Sequence, residues 1–241
     1  MELTTQTLLA LALPGVYLLD SVHWLRLGEA VVVTRGSRLR RISCGSTFEL
    51  GGRRPFLPNP LTPFWPELRA DWVNMPGEPQ DAAVSGGQMN ERAAALGAVG
   101  VLSALCGAAI VIGAPLALLL EQEVVFVACA LLGALAALTA AVCLYLRRAA
   151  LGLGFGEWLL LAGVAIVCLP CSVNLARAAA KARTWTLTAH QLARLELTGV
   201  TAGETREQLR EALLAAQRYV GEESAEFQGL SEQLRLLEEG Q

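Results

Sequence analysis

Ala93 to Leu120, AAALGAVGVLSALCGAAIVIGAPLALLL, runs for 28 positions without a charged residue. Val124 to Leu146, VVFVACALLGALAALTAAVCLYL, runs for a further 23. At a helical rise of about 1.5 Å per residue, each stretch exceeds a hydrocarbon core of about 30 Å. Only Glu121-Gln122-Glu123 separates them, so antiparallel helices joined by a tight acidic turn are expected. Gly100, Ala104 and Ala108 recur every four residues on the first, and Gly133, Ala137 and Ala141 do so on the second. Stripes of small residues let helix backbones approach closely in lipid. This hairpin sets the expected fold class: an α-helical integral membrane protein with three or four transmembrane helices, a small irregular β-containing polar module and an acidic amphipathic helical tail.

The composition follows from that hairpin. Of 241 residues, 54% are hydrophobic and 17% charged, against about 45–50% and about 25% in an ordinary soluble domain. Residues 94–183 hold 5 basic and 3 acidic side chains, whereas residues 184–241 hold 5 and 10. A bilayer demands such a depleted middle, because an ionised side chain at its centre costs about 2.5–3.5 kcal/mol on insertion scales. A large soluble enzyme, a disordered chain and a nucleic-acid binder are all disfavoured, the last because the net charge is −3 with no long basic block. Lys181 is the only lysine among 19 basic residues. With the richness in Ala and Leu, this points to the coding bias of a GC-rich bacterium and to its inner membrane.

Upstream, residues 1–25 read as an N-terminal membrane anchor interrupted by Pro14-Gly15. They lack the basic n-region and the small-residue cleavage site of a signal peptide. Residues 26–92 form the polar module. Ala30 to Thr34 and Arg38 to Ser43 are strand candidates around a turn at Arg35-Gly36-Ser37, and Gly51-Gly52 marks another turn. Pro55, Pro58, Pro60, Pro63 and Pro66, interleaved with Phe56, Phe64 and Trp65, exclude a helix interior or a central strand. Residues 75–88 read as a linker. Downstream of the hairpin, Gly152-x-Gly154-x-Gly156 is a connector, and residues 157–177 form the last of the expected spans 93–120, 124–146 and 157–177. Residues 178–241 are the helical tail, leaving the bilayer through the interface-type residues Lys181, Arg183 and Trp185. A capping box at Thr201 to Glu204 precedes Leu209, Leu213, Ala216 and Val220, and Phe227, Leu230, Leu234 and Leu237 keep heptad spacing.

Sidedness is in conflict. The positive-inside rule places the arginines of 26–92 and Arg147-Arg148 in the cytoplasm. A full fourth span, which hydropathy favours, then puts Arg177, Lys181, Arg183 and the tail outside. A re-entrant segment turning back at Pro170 keeps them inside.

Two constellations carry the functional expectations. Pro55, Phe56, Pro58, Pro60, Pro63, Phe64, Trp65 and Trp72 make a pre-extended, aromatic-bearing segment suited to a protein partner's groove. Cys168-Leu169-Pro170-Cys171 is a CxxC pair, the arrangement that closes a redox disulfide. The competing view is that cysteine fills space as a small apolar residue and Pro170 ends the helix. Asp20 and His23, three apart, are expected to share a helical face at the end of the first run. No metal-ligand set, cofactor motif or catalytic triad is recognised. The leading expectation is a non-catalytic membrane subunit or scaffold that contacts the lipid bilayer and docks protein partners. A membrane thiol-disulfide protein using Cys168 and Cys171 is the alternative, and a small transporter is a weaker one.

Overall fold

Along the chain, helix α1 (Thr5–Ser21) is followed by strands β1 (His23–Arg26), β2 (Glu29–Arg35), β3 (Arg38–Ser43), β4 (Arg53–Phe56) and β5 (Glu67–Asp71). Helix α2 (Ala82–Ala95) leads into the apolar hairpin, made of α3 (Gly97–Gly107), a π-helical turn (Ala108–Gly113), α4 (Ala114–Leu119) and α5 (Glu123–Arg147). Then come α6 (Phe155–Val167), α7 (Leu169–Ser172), α8 (Leu175–Lys181), β6 (Thr184–Thr186), α9 (Ala189–Ala193), α10 (Ala202–Gln217) and α11 (Ala225–Glu239). This computed structural model describes residues 5–26, 28–35, 38–46, 48–71, 82–193, 195, 202–218, 220 and 225–239. The protein is mostly helical with small sheets, and two of its helices, Gly97–Leu119 and Glu123–Arg147, are long and apolar enough to cross a membrane.

Contacts divide the chain into two units: residues 1–22, 58–66 and 95–182 form a helical one, and residues 23–57, 67–94 and 183–241 a mixed one. Each is assembled from segments distant in sequence.

In the helical unit, the turn expected at Glu121 to Glu123 closes tightly. Glu121 takes a left-handed φ of 55°, and Gln122 N–H donates to the Ala117 carbonyl at 2.8 Å. On α5 the buried stripe is Gly133, Ala136, Ala137, Ala140, Ala141 and Leu144, which contains the small residues singled out in the sequence. On α3 the buried positions are Val99, Gly100, Ser103, Cys106 and Gly107. The seam therefore runs through Gly100 and Gly107, while Ala108 is left exposed. A Cβ built on Gly133 would come within 2.4 Å of Ile110. That glycine admits the bulky side chain where the two helices meet.

The apolar stretch after the Gly152 connector is not one helix. Pro170 has no N–H to donate and cannot continue a helix begun upstream. The chain opens at Cys168 (φ −120°, ψ 89°) and restarts with Pro170 in the first turn of α7, the position that tolerates it. Helix α6 thus has 13 residues, or about 20 Å at the helical rise. Residues 157–177 thus run through three short helices rather than one continuous one.

In the mixed unit, a four-stranded sheet has the order β3-β2-β5-β6, with β2 antiparallel to both β3 and β5 and β6 parallel to β5. The strands expected at 30–34 and 38–43 form here as β2 and β3. β1 and β4 make a two-stranded antiparallel sheet, and Leu25, Val31 and Phe56 pack together with Val33. Gly51 and Gly52, at φ 58° and 71°, form the expected turn, the double left-handed geometry that returns a tight hairpin into β4. The tail helices do pack on something: α10 and α11 lie against each other and against α9, burying Leu209, Leu213, Leu230 and Leu237.

Three expectations are corrected. Residues 82–88, read as linker, begin α2, because Met89, Arg92 and Ala93 are buried and their packing outweighs two glycines. Asp20 and His23 do not share a helical face, since α1 ends at Ser21 and His23 opens β1. Trp185 is no interfacial anchor: it is 3% exposed in β6, paired with Ala70. The turn at Gly36-Ser37 and Thr201 of the capping box lie outside the described residues.

Candidate functional site

The proline-aromatic segment is shared between the units. Pro55 and Phe56 belong to β4, where Pro55 pairs with Trp24 and Phe56 is buried in the core of the mixed unit. Pro58, Pro60, Pro63, Phe64 and Trp65 lie in the loop of residues 58–66 in the helical unit. There Pro58 and Pro63 are buried, Trp65 is half-buried, and Phe64 and Pro60 are exposed. Trp72 lies outside the described residues.

Arg177 holds this loop. Although it is a charged residue at the end of an apolar run, it is 1% exposed. Its Nη2 donates to the carbonyls of Asn59 (2.8 Å) and Thr62 (2.9 Å), and its Nη1 donates to Asn174 Oδ1 at 3.1 Å. Asn174 Nδ2 in turn donates to Asp20 Oδ2 at 2.8 Å and to Ser21 Oγ at 2.9 Å. Tyr17 O–H donates to the Pro60 carbonyl at 2.7 Å. Helices α1 and α8 therefore add outside donors to a loop whose Asn59 and Thr62 carbonyls also accept N–H groups within it, and so fix its place. Nothing in the sequence marked Arg177 for this role, because a buried arginine and a snorkelling one look alike there.

From the other side, the loop backbone rests on α3. A Cβ at Gly100 would lie 2.8 Å from the Phe64 carbonyl oxygen and 3.2 Å from its Cα. Gly100→Val is accordingly expected to destabilise the helical unit by about 1–3 kcal/mol. Limited proteolysis in detergent should then cut within residues 58–66, which are expected to resist cleavage in the parent protein.

Between the loop, α1 and the π-helical turn runs an apolar groove of about 310 Å³. Pro14, Tyr17, Pro63, Phe64, Gly107 and Ile112 are among its walls. Leu61, 78% exposed, stands at its rim.

The second constellation is the α6–α7 break. Cys168 and Cys171 are joined by a disulfide and both are half-buried. Cys106, from the last turn of α3, meets the same turn: its Sγ is 2.9 Å from Ser172 Oγ and 3.8 Å from the Leu169 carbonyl. Ser172 Oγ also donates to the Leu169 carbonyl at 2.6 Å. Sequence spacing identified the CxxC pair but gave no sign of Cys106, which lies more than sixty residues away. Cys129 and Cys143 are free and half-buried on α5.

In the mixed unit, Cys44 is a free thiol beside Arg54. Burial pushes it up to about 12 from the ordinary 9.0, with the Arg54 charge pulling the other way. The folded state thus keeps the proton. Near neutral pH the thiolate fraction is about a thousandfold below that of an ordinary thiol, since each pKa unit is a factor of ten. Iodoacetamide should label Cys44 slowly in the folded protein and rapidly in urea. The same shift makes this unit lose stability as pH rises from 9.0 towards about 12.

Among the described residues no three His, Cys, Asp or Glu side chains gather as a metal site. No protein-family model, curated protein or solved structure matches the chain.

Proposed function

We propose that this chain is a multi-pass protein of the bacterial inner membrane, in which the helical unit anchors a cytoplasmic mixed unit and docks protein partners at the loop of residues 58–66. The observation that carries the reading is the sorting of side chains along the hairpin. Arg148 stacks over Tyr145 at 4.7 Å and lies 5.9 Å from the Phe155 ring, with Trp158 beside Tyr145 at 4.9 Å. Glu121 and Glu123 mark the opposite end. Between them Leu131, Leu135, Leu138, Leu159 and Leu160 are exposed. An aromatic and basic rim at one end, an acidic turn at the other and bare aliphatic faces between match the cytoplasmic interface, the far interface and the lipid core.

In this reading α1, the α3–α4 segment and α5 cross the bilayer, while α6 to α8 enter and return. The return is supported by β6, which pairs with β5 inside the mixed unit. Strands of one sheet cannot be divided across a membrane. The tail then joins residues 26–92 on the cytoplasmic side, and Arg177, Lys181 and Arg183 obey the positive-inside rule. A phosphatase and fluorescent-protein reporter pair fused after Arg183 is expected to report cytoplasm, and periplasmic activity there would refute the return. For docking, Leu61→Asp combined with Phe64→Asp should abolish co-purification of a protein partner from membranes. A partner retained at full yield would refute the loop as the docking site.

The disulfide favours a second reading, as a membrane thiol-disulfide protein. Two thiols of a partner would reduce the Cys168–Cys171 bond and leave as the partner's disulfide, with the two protons ending on Cys168 and Cys171. Acid trapping and alkylation should reveal both the bonded and the dithiol forms in cells. A single form under oxidising and reducing growth would exclude it.

A further inference from the structure

We propose that Cys106 is a third member of the cysteine set, able to open the Cys168–Cys171 disulfide from within the helical unit. The inference rests on the thiol-disulfide reading and extends it from a pair to a triad. Leu169 follows Cys168 and Ser172 follows Cys171, and the Cys106 sulfur reaches both of these flanking residues, at 3.8 Å and 2.9 Å. Helix α3 therefore delivers a thiol to the four-residue turn that the disulfide closes.

The polar atoms form a chain. Ser172 donates its one hydroxyl hydrogen to the Leu169 carbonyl, which leaves its oxygen to accept the Cys106 S–H. A proton leaving Cys106 thus has an acceptor already in contact, in surroundings otherwise lined by Ile110, Val173 and Leu169.

The exchange is internally balanced. The Cys106 sulfur attacks one sulfur of the pair, a new S–S bond forms to it, and the old bond breaks. The displaced sulfur takes up the proton that Cys106 lost. One disulfide and one thiol are present before and after, so no outside oxidant or reductant takes part. What changes is the position of the free thiol. It moves from a residue 1% exposed to a half-buried one at the helix break, where a partner disulfide or thiol reagent can meet it.

The test uses the full chain in mild detergent, quenched in acid, alkylated with N-ethylmaleimide, digested and mapped by mass spectrometry. In Cys168→Ser and Cys171→Ser proteins oxidised with diamide, a peptide linking Cys106 to the remaining cysteine of the pair is expected, with matching loss of alkylated Cys106. Cys129 and Cys143 in the same samples control for indiscriminate shuffling and should stay alkylated. In the parent protein, held at mildly alkaline pH with no added thiol before the acid quench, Cys106-linked peptide should appear, and Ser172→Ala should slow its appearance. The parent protein needs no substitution to fold, so it keeps the test decisive if a variant aggregates. A parent protein that keeps the Cys168–Cys171 bond while Cys106 is never linked overturns the triad and leaves the redox reading standing. A parent protein with Cys168 and Cys171 both always alkylated overturns the two together. Linkage of Cys129 or Cys143 as readily as Cys106 also overturns it.

Discussion

Arg177→Ala is expected to lower the stability of the helical unit by about 3 kcal/mol, since a hydrogen bond from a charged group contributes about 1.5–3 kcal/mol and truncation also leaves a cavity. The guanidinium is 1% exposed and supplies donors to Asn59, Thr62 and Asn174 together. Each loop carbonyl retains a second donor within the loop, Thr62 N–H for Asn59 and Trp65 N–H for Thr62. The loss is therefore one of anchoring rather than of complete desolvation. Thermal unfolding in detergent should show a lowered midpoint, and proteolysis should open residues 58–66 before the rest of the unit. Arg177→Lys should recover only part of the loss, because an ammonium cannot reproduce the planar fork that spans the two carbonyls and the Asn174 amide. Full recovery by lysine would mean that charge alone, and not the fork, holds the loop.

Trp185→Ala is expected to cost the mixed unit about 3–5 kcal/mol, the usual range for removing a buried large aromatic. Trp185 sits in β6 against Ala70 of β5 and beneath the Arg183 guanidinium, 4.3 Å from the ring centroid. Its indole N–H has no hydrogen-bond partner among the described residues. Trp185→Phe, which keeps an aromatic ring of smaller size and removes an unsatisfied donor, should therefore cost less than half as much as alanine. Urea denaturation followed by far-ultraviolet circular dichroism, with the helical unit held in micelles, would separate the two. Equal losses for alanine and phenylalanine would show that the N–H, not the packed ring, carries the stability.

These two residues also show where the sequence stops informing. Arg177 and Trp185 both follow an apolar run, and by composition both belong to a membrane exit. Their burial depends on partners far away in the chain: the carbonyls of residues 59 and 62 for one, and strand β5 for the other. Phe56 and Phe64 look alike within one proline-rich segment. Phe56 falls in a strand and enters a core, whereas Phe64 falls in the loop and is 39% exposed. Periodicity finds an apolar face but does not say what will cover it. In the same way the CxxC spacing located Cys168 and Cys171, while Cys106 became their neighbour only when α3 packed on the helix break.

The sequence by itself determined what is local: two uncharged stretches long enough for apolar helices, the acidic turn between them, the hairpin of β2 and β3, the amphipathic tail helices and the proline that interrupts the last apolar run. These follow from side-chain periodicity and from backbone chemistry within a few residues. Only the tertiary structure decided how the segments regroup. The loop of residues 58–66 leaves its sequence neighbours for the helical unit, and the tail returns through β6 to a sheet begun near residue 29. The physical reason is that backbone groups must find partners wherever the chain supplies them. Strand β5 takes a second neighbour, and the loop its anchoring donors, from far along the chain. Residues more than a hundred positions away provided both.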